Sequence, residues 1–156
     1  MEDGSTILRY MLPLFALLFG ASLCAASETA YTSANRIRLM SLADDGDRQA
    51  KRALRVINNF DKALTTLLIL NNITHIATAS IATIMVTKLW GAGAVPISTI
   101  VTTIVVFLFA EMIPKYFAKT FSDKYALIAA GPMLFLMKAL TPVSFVFTKL
   151  ADAVKK

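Results

Sequence analysis

The sequence predicts an all-α integral membrane fold, with three transmembrane helices, a cytoplasmic helical hairpin after the first and juxtamembrane helices after the third. Three observations predict it. Hydrophobic residues make up 56% of the 156 positions and mean hydropathy is +0.63, well above the soluble-domain norm. Three segments lack formal charge: 18 residues from Tyr10 to Ser27, 25 from Ala63 to Thr87 and 22 from Leu89 to Ala110. A hydrocarbon core takes about 20 residues of helix to cross. Basic residues are also distributed unevenly between these segments, as expected of a chain oriented in a bilayer.

The first span is placed at about 7–28. Glu2 and Asp3 are acidic where a signal peptide is basic, so the segment reads as a retained helix. Gly20, Ala21, Ala25 and Ala26 suit close helix packing, and the lone Cys24 is read as a small apolar packing group that forms no internal disulfide. Between about 34 and 60, Ile37, Met40, Ala50, Ala53, Leu54 and Ile57 recur at helical spacing around an Asp45-Gly46 turn, which gives a helical hairpin. The DDGD run lacks the remainder of a calcium-loop pattern and reads as a turn with a helix cap.

The second span is placed at about 63–87 and the third at about 94–113. Beyond them, Tyr125 to Met137 and Ala139 to Thr148 are uncharged stretches divided by Lys138, with Pro132 and Pro142 expected to break a continuous helix. Basic residues flank this region on both sides. It therefore reads as helices lying along the inner interface, at about 121–154, with a fourth span as the alternative.

Arg36, Arg38, Arg48, Lys51, Arg52, Arg55 and Lys62 separate the first two spans, whereas Lys88 alone separates the second and third. The positive-inside rule puts the amino terminus outside and the carboxyl terminus in the cytoplasm, in a multi-pass protein of the cell membrane. The formal charge of +6 is then a topology signal. The expected partner surface is the lipid bilayer, and no nucleic acid is expected.

Polar residues inside these spans are the candidates for function. Glu111 ends an apolar run, and an acid at membrane depth is a functional-site candidate by default. Pro114 removes a backbone donor and should free a carbonyl near Ala110 or Glu111. Ser22, Ser27, Glu28, Asn71 and Asn72 add hydroxyl, carboxylate and amide oxygens. Such a set suits hard cations such as Mg²⁺, Ca²⁺ and Na⁺, while zinc and copper recruit His and Cys. The alternatives are structural. The serines can bond their own i−4 carbonyls, Glu28 can pair with Arg36 or Lys115, and His75 is expected to be a satisfied interior histidine. Ser22 and Ser27 lie about 140° apart on an α-helix, so both face one ion only if that helix widens into a π turn. Asn71 and Asn72 point about 100° apart, so one faces any site. An intramembrane enzyme is not expected, since every aspartate lies outside the spans and His75 lacks a His partner.

SETA (27–30) with Asn35 and Arg36 beyond it, LILNN (68–72) and AEMIPK (110–115) together resemble the transmembrane domain of the CNNM/CorC, or cyclin M-like, magnesium transporters, from about Phe15 to Lys149. The resemblance implies a homodimer, each protomer having three spans, a cytoplasmic hairpin and a belt-like juxtamembrane helix. It implies a dehydrated Mg²⁺ as the transported ion, held by Ser22, Ser27, Asn72 and Glu111 in an inward-facing cavity, with export coupled to Na⁺ entry. CBS nucleotide-binding modules are expected outside these 156 residues. Ala110 stands where the family usually has glycine. The rival reading is a membrane Mg²⁺ sensor or scaffold acting on a separate transporter.

Overall fold

The computed structural model describes residues 2–143 and 145. Among them every regular element is helical: α1 (Glu2–Ser33), α2 (Arg36–Asp44), α3 (Arg48–Asn58), α4 (Phe60–Trp90), a 3₁₀ turn (Ala92–Ala94), α5 (Val95–Val105), a π-helical segment (Val106–Met112), α6 (Ile113–Thr120) and α7 (Ser122–Ala139). Three stretches are long and apolar enough to cross a membrane: Ile7–Ser33, Phe60–Trp90 and Ala92–Thr120. The expected all-α membrane fold with three spans is therefore observed. The chain divides into two compact units, residues 1–26 with 70–117, and residues 27–69 with 118–156.

In the first unit, small residues let the helices approach. Ala21 and Ala25 are 1% exposed and Ala110 is fully buried. A Cβ built on Gly20 would stand 3.8 Å from Thr74 Cγ2, ordinary contact distance, so α1 and α4 pass close together there. The large side chains do the opposite. Leu12, Phe19, Ile76 and Ile97 are each at least 66% exposed, as befits helices whose outer faces meet acyl chains. Near the far end of α4, Lys88 Nζ sits 5.4 Å from the centre of the Tyr10 ring.

The second unit contains the hairpin. Asn35 caps α2 by accepting from Arg38 N (3.1 Å), and Asp47 caps α3 by accepting from Gln49 N (2.7 Å) and Ala50 N (3.2 Å). Between them Gly46 adopts φ 96°, a conformation open to glycine and costly for other residues. Leu39, Ala53 and Ala130 form a buried cluster joining α2, α3 and α7. The expected apolar face of α2 is corrected here: Ile37 and Met40 are 80% and 50% exposed, whereas Leu39 and Ala43 are buried. With only 9 residues in α2, two overlapping apolar spacings were available, and packing against α3 selected the second.

Asp123 at the start of α7 accepts from Asn35 N (2.8 Å) and Arg38 Nη1 (3.2 Å), which ties α7 to the start of the hairpin. The Tyr31 hydroxyl donates to the Ala126 carbonyl at 3.2 Å. Helix α7 also corrects an expectation. It runs through Pro132 without interruption, and its break comes at Leu140. One proline removes a single i→i−4 bond, and the neighbouring bonds of an 18-residue helix hold the rest. Helix α7 is not among the three span-like stretches. The remainder of the expected 121–154 region, residue 144 and residues 146–154, lies outside the described residues.

Candidate functional site: a carboxylate on a π segment

The third span enters as a regular α-helix, α5, and widens to π geometry over Val106–Met112 before returning to α geometry in α6. Glu111 and the buried Ala110 both lie on this segment. Single π turns inside α-helices are rare and occur frequently at functional sites. Helix α1, by contrast, is α-helical from Glu2 to Ser33. A π turn between Ser22 and Ser27 was the condition for both hydroxyls to face one ion, and the widening is in the third span instead. The two serines therefore remain about 140° apart around α1.

The register of the π turn is visible in the backbone. The N–H of Ile113 donates to the Leu108 carbonyl, five residues back. In the same register the Phe109 carbonyl would be served by residue 114, which is proline and has no N–H. The proline thus frees Phe109, where the α-helical rule pointed to Ala110 or Glu111. Ser22 on α1 supplies a donor: its Oγ lies 3.0 Å from the Phe109 carbonyl oxygen and 2.8 Å from its own i−4 carbonyl at Leu18. One hydroxyl proton stands between two acceptors, so one carbonyl lone pair there is always available.

Glu111 is half-buried, with Oε1 3.1 Å from Lys115 Nζ one helical turn on. The pair is arranged Glu to Lys at i, i+4, the favourable order, and such pairs stabilise a solvated helix by only about 0.5 kcal/mol. Breaking the pair to free the carboxylate therefore costs little. Among the described residues no group of three His, Cys, Asp or Glu is placed to hold a metal. Glu111 is thus not part of a cluster of three such side chains among the described residues.

The amide candidates separate as their 100° offset requires. Asn72 is exposed in the single chain, while Asn71 is half-buried and its Oδ1 is wholly buried without a hydrogen-bond partner. One turn further, His75 Nε2 is also buried and unpartnered. The expectation of a satisfied interior histidine is corrected: His75 lacks the protein partner that a buried ring nitrogen needs, a shortfall of about 1–3 kcal/mol if no water or ligand supplies it. Ser27 is 8% exposed and belongs to the second unit, as does Glu28. In that unit the Arg36 guanidinium reaches Asn58 Oδ1.

A cavity of about 320 Å³ opens between α4 and the third span. His75, Thr83, Ser98, Thr99, Thr103 and Glu111 are among the residues that line it. These threonines were not singled out from the sequence, although their signal is present: Ser98 with Thr102, and Thr99 with Thr103, recur four residues apart in an otherwise apolar helix. A larger cavity of about 540 Å³ is walled mainly by apolar side chains such as Leu14, Phe15, Met85, Val86 and Trp90, with Thr78, Ser98 and Thr102 as the hydroxyl residues of its lining.

The chain matches the family described as the cyclin M transmembrane N-terminal domain over residues 12–156. It is 34% identical over 127 residues to the inner membrane protein YfjD of Escherichia coli, covering 75% of this chain and 30% of that protein. It is 32% identical over 128 residues to a UPF0053 protein of Haemophilus influenzae, covering 80% of this chain and 30% of that protein. A polyamine export protein of Haemophilus influenzae is 27% identical over 155 residues, 91% of this chain and 36% of that protein. The chain thus spans about a third of the length of these curated relatives.

Proposed function

This chain belongs to the cyclin M transmembrane N-terminal domain family, and we propose that it is the membrane part of a magnesium transporter that exports cytoplasmic Mg²⁺ in exchange for Na⁺. The observation that carries this reading is the Glu111 carboxylate on a π segment whose Phe109 carbonyl is released by Pro114 and met by Ser22. Mg²⁺ sheds water reluctantly and needs fixed oxygen ligands with negative charge among them. Glu111 supplies the charge, with Ser22 and Asn72 as the proposed neutral donors and Asn71 as the competing amide, and Ser27 joins them only where α1 widens around the ion. In this scheme Lys115 occupies the carboxylate until the ion displaces it. The amino terminus lies outside, the carboxyl terminus is cytoplasmic, and two copies form the working dimer.

The test is reconstitution into liposomes with a trapped Mg²⁺ indicator, with and without a Na⁺ gradient. A Na⁺-dependent Mg²⁺ flux that Glu111→Gln abolishes is the expected result, and flux undiminished in Glu111→Gln overturns the reading. Protein that binds Mg²⁺ yet moves none unaided would be a sensor or scaffold for another transporter. The name of the polyamine export relative supplies one further arm. Spermidine flux in place of Mg²⁺ flux would change the cargo to an organic cation held by the same carboxylate.

A further inference from the structure

We propose that α3 and α7 together bind anionic phospholipid headgroups, with Arg52, Lys124 and Lys138 set in a row along one flank of an apolar stripe that α7 lays into the leaflet beside the hairpin. The inference uses residues of the second compact unit alone and is independent of the transport reading above.

Chain connectivity sets both helices at one membrane face. Helix α3 ends at Asn58, just before the span that starts at Phe60, and α7 starts at Ser122, just after the span-like stretch that ends at Thr120. Two steps of chain reach at most about 8 Å. Those two span ends share a face because the spans are joined at their other ends through Gly91. Helix α7 then shows two apolar faces. Ala126, Ala130, Met133 and Met137 are buried, with Ala130 in the cluster of Leu39 and Ala53. On the opposite side Ile128, Pro132 and Phe135 fall within about 60° of one another, and Ile128 and Phe135 are 73% and 71% exposed. A helix with one face on protein and an uncovered apolar face beside a span end suits the boundary between headgroups and acyl chains.

Membrane orientation requires cations on this side of the bilayer, but it does not require them to be aligned. Here they are. Lys124, Gly131 and Lys138 recur at seven-residue spacing, about 10 Å apart, roughly 40–80° to one side of Ile128. The middle position has no side chain of its own and is filled from α3: a Cβ built on Gly131 would stand 3.7 Å from Arg52 Nη1. The other flank of the stripe carries Tyr125, Ala129 and Leu136, none of them charged. Beyond Arg52, the exposed Arg48, Lys51 and Arg55 continue the positive surface on the side of α3 opposite its buried Ala50, Ala53 and Val56. Among the described residues none of these cations forms an ion pair, whereas Arg38 is taken by Asp123. A soluble acidic partner would account for the cations and leave the stripe uncovered. An anionic leaflet meets both, phosphates at the row and acyl chains at Ile128, Pro132 and Phe135.

Two measurements on the whole chain test this. In neutral detergent the thermal midpoint is followed while phosphatidylglycerol or phosphatidylcholine of the same acyl chains is titrated in. Phosphatidylglycerol should raise the midpoint more than phosphatidylcholine does. Its apparent affinity should fall on the order of a hundredfold when Arg52→Gln, Lys124→Gln and Lys138→Gln are combined, and should be kept when Arg52→Lys, Lys124→Arg and Lys138→Arg are combined. Equal responses to the two lipids, an undiminished response in the glutamine variant, or the same rise from glycerol 3-phosphate alone overturns the proposal. The second measurement reads position. In a Trp90→Phe background, Phe135→Trp in liposomes should be quenched more by brominated phosphatidylglycerol than by brominated phosphatidylcholine at equal mole fraction. The three glutamines should remove that preference while quenching persists. Absence of quenching by either lipid means that a second copy or another protein covers the stripe, and overturns the proposal. This arm leaves the cations of the parent chain in place, so it decides the matter even where the glutamine variant fails to fold.

Discussion

Ser22 holds one proton between the carbonyls of Leu18 and Phe109 at 2.8 and 3.0 Å, and this small ambiguity is what leaves an oxygen free beside Glu111. Ser22→Ala removes the shared donor and should cost about 1 kcal/mol in thermal unfolding. The loss of Mg²⁺ stabilisation should be larger than that figure alone explains. Lys115→Gln gives the opposite sign at the neighbouring charge. With its ammonium gone, Glu111 has no competitor for a cation, so the apparent Mg²⁺ affinity by calorimetry should tighten, whereas in Glu111→Gln it should vanish. His75→Leu is expected to raise the thermal midpoint, because an unpartnered ring nitrogen is replaced by apolar surface of similar size, worth about 1–3 kcal/mol. A fall in stability would show that His75 has a partner after all.

The released carbonyl of the π segment is a property of an element, and two residues act on it together. Pro114 withholds the donor, and Ser22 from another helix satisfies the acceptor left behind. In Pro114→Ala the restored N–H competes for Phe109, so the stability cost of Ser22→Ala should shrink in that background. A double-mutant cycle reads the coupling, expected at about 0.5–1 kcal/mol for groups that share one acceptor. The hairpin of α2 and α3 follows turn and cap chemistry with little outside help. Gly46 at φ 96° takes a conformation that costs an L side chain about 1 kcal/mol, so Gly46→Ala should destabilise by that amount without altering Mg²⁺ binding.

For the molecule entire, the governing fact is that three apolar helices place most of their large side chains outward and their small ones inward. Leu12, Phe19 and Ile76 face out, while Ala21, Ala25 and Ala110 are buried. Stability in detergent should accordingly follow substitutions of the small residues more than of the large ones. The charge distribution makes a separate prediction about orientation. A reporter fused after residue 156 should report from the cytoplasm, and neutralising Arg48, Lys51, Arg52 and Arg55 together should yield a mixed population.

The sequence by itself determined the membrane class, the three spans, the hairpin turn at Gly46 and the acid at Glu111, because each follows from hydrophobic length, charge or turn chemistry carried by neighbouring residues. It also carried the family resemblance, since SETA, LILNN and AEMIPK are local patterns. Only tertiary structure decided that the widened turn lies in the third span and not in α1, that Phe109 is the carbonyl released, that Leu39 and not Ile37 is buried, and that His75 lacks a partner. Each of these depends on a helix meeting its neighbour. Local sequence sets the period and direction of a helix, while the choice among its faces is made by the residue that arrives from elsewhere in the chain.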